Sequence, residues 1–175
     1  MEGKGGLHSP VEAALHFQRA ADANVPQAQH ALALMYEYGQ GIEVNFDFAM
    51  MYYKRAAEQH NVESIYNLAL MYAYGRGTEQ DFYQARSLLE TAANQYNHAP
   101  SMYYIGVFKT YGYGCSINYE QAINWFERAI GVDDSRIHNK AMQAADELKQ
   151  LVYEAKAYNE ERLNDLQRMS YREDG

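Results

Sequence analysis

Apolar residues recur at helical spacing along most of the chain. Near Gln27–Tyr38 the residues Ala28, Leu32, Met35 and Tyr36 share one face, which predicts a helix. It stops at Gly39-Gln40-Gly41, because glycine tolerates the left-handed backbone just past a helix end. A second helix is predicted near Phe46–Gln59, with Ala49, Tyr52, Tyr53, Ala56 and Ala57 in phase. Neither helix can bury its apolar face alone, so each needs a neighbour.

The neighbour is another copy of the same pattern. Shifted by 36 residues, Ala28–His60 overlays Ser64–Tyr96 with 14 of 33 positions identical, including Leu32–Tyr36 on Leu68–Tyr72. A further shift of 37 carries Ser64–Asn94 onto Ser101–Gly131 with nine identities in 31, Gly112 and Gly114 among them. Backwards, Ala49 and Ala56-Ala57 map onto Ala13 and Ala20-Ala21. Two-helix units that cannot bury their faces alone stack into a solenoid. The in-phase glycines, alanines, tyrosines and methionines are therefore assigned first to architecture.

The run AQHALALMYEYGQGIEVNFDFAMMYYKRAAEQH resembles the Sel-1-like repeat, a relative of the tetratricopeptide repeat. The second unit matches nearly as well. The third is more divergent but keeps Ile105-Gly106, Gly112-x-Gly114, Ala122 and Trp125-Phe126. With the half-unit at Val11–Ala23, the resemblance covers residues 11–131. It implies an all-α fold, a right-handed α/α solenoid of helix-turn-helix repeats. His60 and Tyr96 stand where that family usually has a glycine, so those helix ends are expected to finish differently. Lys109 replaces the tyrosine of positions 36 and 72, which suggests a looser last interface or one facing another partner.

From Ile137 the Gly-x-Gly punctuation vanishes. Ile137, Ala141, Ala144, Leu148, Leu151, Ala155 and Tyr158 are spaced as on one face of a long helix, with no Gly or Pro through Tyr171. Residues 132–171 are expected to form a long C-terminal capping helix, between a flexible N-terminus (1–10) at the far end and a frayed tail (172–175). A cap needs less length than this. Two readings stay open: capping alone, or capping plus a partner or self contact through Ala155–Met169.

Composition narrows the function. The formal charge is −8, from 15 Lys+Arg against 23 Asp+Glu, which argues against a nucleic-acid binder. One cysteine, Cys115, rules out an internal disulfide and a thiolate zinc site. The six histidines are scattered, with no pair at metal-ligand spacing, so neither a metal nor a cofactor is expected. The glycine pairs follow no strand and precede no Lys-Ser/Thr, so they are not phosphate loops. No nucleophile–base set emerges, and no catalytic residue is assigned. No run approaches the roughly 18 apolar residues of a membrane span. The first ten residues carry no signal-type apolar segment, so a soluble intracellular protein is expected.

Shape is what remains. In helical-repeat solenoids the first helix of each unit lines a concave surface. The positions there that vary between units are candidates for partner contact: Ala31, Leu34 and Glu37, then Asn67 and Leu70, then Tyr104 and Val107, with the surplus tyrosines Tyr66 and Tyr103 beside them. Their mixture of apolar row and polar tips fits a groove for another protein or a peptide segment. The alternative is that Leu34, Leu70 and Val107 pack sideways between helices. Seventeen tyrosines, against one Trp and six Phe, fit a binding surface, since tyrosine offers contact area at low entropy cost. The expected function is a non-catalytic interaction module, either a reversible adaptor or a permanent subunit of a larger complex. The alternative is an inhibitor that occludes a toxin or effector enzyme.

Overall fold

A computed structural model describes residues 9–173, with side chains described through Leu163. The described residues form eight α-helices and no strand. In chain order they are α1 (Pro10–Asp22), α2 (Pro26–Tyr38), α3 (Phe46–Glu58), α4 (Val62–Tyr74), α5 (Phe82–Tyr96), α6 (Ala99–Tyr111), α7 (Tyr119–Ile130) and α8 (His138–Glu173). Each packs on the helix before and the helix after it, which is the order of a solenoid. The pairs α2/α3, α4/α5 and α6/α7 are the closest, so each pair is one unit with a first and a second helix.

Local chemistry sets the boundaries. Asn45, Asn61, Asp81 and Asn118 cap the helices that follow them by accepting from backbone N–H groups of the first turn. Ser9 and Glu12 form a reciprocal capping box on α1. Of the N-terminal segment 1–10, residues 1–8 lie outside the described residues, whereas Ser9 is this cap and Pro10 begins α1. At the other end Arg172 and Glu173 belong to α8, and residues 174–175 lie outside.

The Gly-x-Gly turns do two jobs. Gly39, Gly75 and Gly112 take the left-handed conformation that ends the first helix. The second glycine docks against the preceding unit: a Cβ on Gly41, Gly77 or Gly114 would lie 2.3, 2.8 or 2.7 Å from the backbone of Pro10, Phe46 or Phe82. Those three residues begin α1, α3 and α5, so the turn clamps the start of the previous second helix. The second helices end without glycine. Asn24, His60 and Asn97 carry φ of +62°, +65° and +53°, a region that Asn and His tolerate better than most residues. Tyr96 stays helical and passes this role to Asn97, which is the extra residue behind the change of repeat from 36 to 37.

The core forms two clusters, one under the N-terminal units and one under the C-terminal units and α8, bridged by half-buried Tyr72 and Leu88. Ala49, Ala85 and Ala122 are fully buried, as are Ala56, Ala92 and Ala129, so these alanines let helices approach closely. Gly106 sits under the ring of Phe126, where a Cβ would come within 2.6 Å of it. Ala33 and Ala69, both at 0% exposure, hold the equivalent position in the first two units. The long helix α8 closes the C-terminal end with Ile137, Ala141, Ala145 and Leu148 buried on the last unit. Lys149 Nζ adds an ion pair to Glu127 at 2.8 Å. The buried stripe stops at Leu148. Leu151 and Tyr158 are exposed, but Val152 is half-buried and Lys156 reaches Glu120 at 3.8 Å, so α8, about 54 Å long, follows α7 to its start and extends beyond it from there.

Candidate functional site

The first helices α2, α4 and α6 stand side by side and bring most of the expected concave residues together. Tyr66 meets Tyr104 edge-on with ring centroids 5.8 Å apart, and Tyr103 meets Tyr104 in the same manner at 5.7 Å. Tyr103 also leans on Phe126, at 5.5 Å. Asn67 Nδ2 donates to His30 Nε2 at 3.1 Å, joining α4 to α2. Ala31, Leu34, Leu70 and Val107 are half-buried. Leu34 and Val107 pack one side into the core while the other side lines an opening, so sideways packing and groove lining coexist in them.

Glu37 departs from expectation. Its side chain is buried, with Oε2 accepting from the Tyr53 hydroxyl at 2.7 Å and Oε1 from Arg76 Nη1 at 2.8 Å. The helix turns this position inward, toward its own second helix, because Tyr53 brings a hydroxyl that needs an acceptor there. Position 73 carries alanine and position 110 threonine, opposite units whose equivalents of Tyr53 are Leu89 and Phe126. Glu37 is thus a joint between units and not an exposed contact.

Burial sets the state of the tyrosines. It pushes the Tyr66 hydroxyl up to about 12 and raises Tyr103 as well. Tyr104 is raised further, by burial first and then by the neighbouring Tyr74 and Tyr66 hydroxyls. These groups stay neutral at physiological pH and can donate or accept hydrogen bonds, which suits binding rather than proton transfer. Among the described residues, no group of three His, Cys, Asp or Glu side chains could hold a metal ion.

A trough of about 690 Å³ opens between α6 and α8. Tyr103 and Val107 line one wall, Ala144, Leu148 and Leu151 the other, and Phe126 and Tyr119 the floor. It continues past Leu151 along Val152, Ala155 and Lys156. The sequence marked Tyr103 and Val107 but missed Tyr111, Ile117, Tyr119 and Leu151, because the position of α8 decides their role. It also missed Arg136, which pairs with Asp134 at 2.8 Å and reaches Glu63 at 3.4 Å, across 73 residues of chain. His98 joins this cluster: Nδ1 shares a 2.8 Å hydrogen bond with Ser101 Oγ, and Nε2 lies 3.6 Å from Glu63.

The profile of the Sel1 repeat matches residues 1–25, 26–61, 62–97 and 99–130. The chain belongs to the Sel1 repeat family. Sel1 repeats are generally non-catalytic protein–protein interaction modules. Among solved structures, a Sel1 repeat protein from Oxalobacter formigenes is 32% identical with a TM-score of 0.63, over 70% of this chain and 50% of that one. A protective antigen of uropathogenic Escherichia coli is 22% identical with a TM-score of 0.70, over 83% and 35%. The cysteine-rich protein B of Helicobacter pylori is 20% identical with a TM-score of 0.56, over 77% and 96%. The last two likenesses concern the fold alone. The chain spans half or less of the first two proteins' length. No relative is found among curated proteins. Among the described residues no helix is long and apolar enough to cross a membrane.

Proposed function

We propose that this Sel1 repeat chain binds a peptide segment of another protein, holding it in the α6–α8 trough and along the tyrosine cluster of the concave face. The supporting observation is the trough itself. Its volume of about 690 Å³ lies within the range of ligand sites, and its lining mixes apolar side chains with tyrosine hydroxyls, Thr110 and Glu147. Tyr66, Asn67, Tyr103, Tyr104 and Val107 are the residues assigned to this contact, with Ala31, Leu34 and Leu70 continuing the face toward the N-terminal units. The exposed part of α8 from Ala155 onward offers a second surface to the same partner; of the stretch Ala155–Met169, side chains beyond Leu163 lie outside those described.

A displayed random-peptide library tests the reading. Peptides selected on the wild-type protein are expected to lose binding to a variant carrying Asn67→Arg and Tyr104→Arg, and to one carrying Leu151→Arg. All three proteins must first show the same helical melting curve. Selected peptides that bind every variant equally would contradict the reading.

A further inference from the structure

Helix α8 packs along α7 but stands off from α6, and its charges divide between the two sides. On the α7 side both carboxylates of α7 receive a cation: Lys149 pairs with Glu127 at 2.8 Å and Lys156 with Glu120 at 3.8 Å. On the trough side stands Glu147, the one charged side chain in the described lining. Its hydrogen-bond partner is neutral. Gln143 Nε2 donates to Glu147 Oε1 at 2.8 Å, which holds the carboxylate in place without neutralising it. Four aromatic rings line the same trough, Tyr103, Tyr111, Tyr119 and Phe126, and aromatic faces attract cations. Burial first, and then Tyr111 and Glu147, raise the pKa of the Tyr103 hydroxyl, so the field of the α8 carboxylate reaches the α6 wall. Elsewhere the chain covers such rings with its own guanidinium groups: Arg128 lies 4.0 Å from the Trp125 ring centroid and Arg76 5.4 Å from that of Tyr74. No Lys or Arg is among the described residues lining the trough.

We propose that the trough takes an arginine side chain of the bound peptide segment, with its guanidinium on Glu147 and against the tyrosine rings, so that the partner is a basic segment of another polypeptide. This rests on the reading that a peptide occupies the trough. Arginine fits better than lysine because its planar guanidinium gives a carboxylate two parallel N–H donors, stacks on rings and is weakly hydrated. The described part of this chain brings no such group back to the trough: α8 stays helical to Glu173 and carries the chain about 33 Å beyond Leu151. A second copy is a poor occupant on charge. A two-fold contact sets the same surface against itself, so it would bring a second Glu147 and a second formal charge of −8 to an acidic trough.

A displayed random-peptide library selected on the intact wild-type chain supplies the probes, which are resynthesised with fluorescein and read by anisotropy. Peptides that lose binding to Leu151→Arg are expected to share an arginine. Its replacement by citrulline, which keeps the shape and removes the charge, should weaken binding at least about tenfold. Glu147→Gln in the protein should do the same, and the two changes together should cost no more than either alone. Asp146→Asn removes an equal charge from the face of α8 turned away from the trough, and should leave affinity within about twofold. Glu147 and Asp146 are both exposed, so equal melting curves are expected and verify folding. Peptides that lose binding to Leu151→Arg but share no arginine overturn the proposal and leave the peptide-binding reading standing. Equal losses in Glu147→Gln and Asp146→Asn overturn it in favour of general charge attraction. Self-association that Glu147→Gln abolishes overturns it in favour of a second copy, and selection of no peptide removes it together with the reading on which it rests.

Discussion

Arg76 reaches back across the joint between the first two units and donates to Glu37 at 2.8 Å, while Tyr53 fills the other carboxylate oxygen at 2.7 Å. Arg76 also lies over the Tyr74 ring, 5.4 Å from its centroid. One buried carboxylate thus ties together α2, α3 and the turn after α4. Neither of the next two units repeats the arrangement, so this joint carries a polar lock where the others rely on apolar packing.

The lock predicts coupled stability. Tyr53→Phe is expected to destabilise by about 1 kcal/mol, because the Glu37 oxygen loses a buried donor. Glu37→Ala should cost more, since it orphans both Tyr53 and Arg76. The double variant imitates the second unit, where Ala73 accompanies Leu89, and should be less destabilised than the sum by about 1 kcal/mol. A double-mutant cycle in urea measures this; strict additivity would show that the contacts are independent.

The two glycines of a turn should differ under substitution. Gly75 has φ +66° and its nearest foreign atom to a Cβ is 3.3 Å away, so Gly75→Ala should cost about 1 kcal/mol for the left-handed backbone alone. Gly77 has φ +70°, with the Phe46 carbonyl oxygen 2.8 Å from a Cβ. Backbone cannot swing aside, so Gly77→Ala should cost at least about 1 kcal/mol more. Equal losses in denaturant midpoint would contradict the docking role of the second glycine.

Acid should weaken the fold through two histidines. Burial lowers the pKa of His30 and His98 below the ordinary 6.5, against the pull of Glu63 on each. The unfolded chain takes up these protons first as pH falls. The stability is therefore fully present above about pH 6.5 and is lost below it, toward the folded-state values. The melting temperature should fall from about pH 7.5 to about pH 5.5, with a slope no greater than about 1.4 kcal/mol per pH unit per histidine. His98→Asn keeps a good residue at the N-cap of α6 and should flatten part of the fall. An unchanged profile would show that His98 does not contribute.

The projecting part of α8 should be dispensable for folding. A chain ending after Asn159 retains Ile137, Ala141, Ala145 and Leu148 together with half-buried Val152 and the Lys156–Glu120 pair, and should melt within a degree or two, about the noise of the measurement, of the full chain. A chain ending after Asp134 loses those four buried residues and should be strongly destabilised. Circular dichroism against temperature distinguishes the two. A large loss from the shorter deletion would mean that the distal helix packs on the solenoid.

The fold was legible because it is written three times. Repeating alanines and the Gly-x-Gly turns mark the same structural places in successive units, as the Leu-Ala-Leu-Met-Tyr run does in the first two, and the repeat helices begin and end within a residue or so of where the spacing puts them; α8 instead begins at His138, six residues after the expected 132, because residues 132–137 form the turn that leads into it. The contacts among the candidate residues were legible only where they lie within one helix. Tyr66, Asn67, Tyr103 and Tyr104 follow from which face of α4 and α6 is left over. Glu37 was misplaced because its burial depends on a hydroxyl sixteen residues away, on Tyr53. The reach of Arg136 to Glu63 and the part played by Leu151 depend on where α8 and its linker come to lie, which no local pattern encodes.

The most direct test of the account is a paired capture from a lysate of the source organism, read by mass spectrometry. One bait is the wild-type chain and the other carries Asn67→Arg and Tyr104→Arg, with matching helical melting curves established first. A stoichiometric protein partner retained by the wild type and lost by the variant is the predicted result. A partner held equally by both would contradict the assignment of the concave tyrosine face as the working surface.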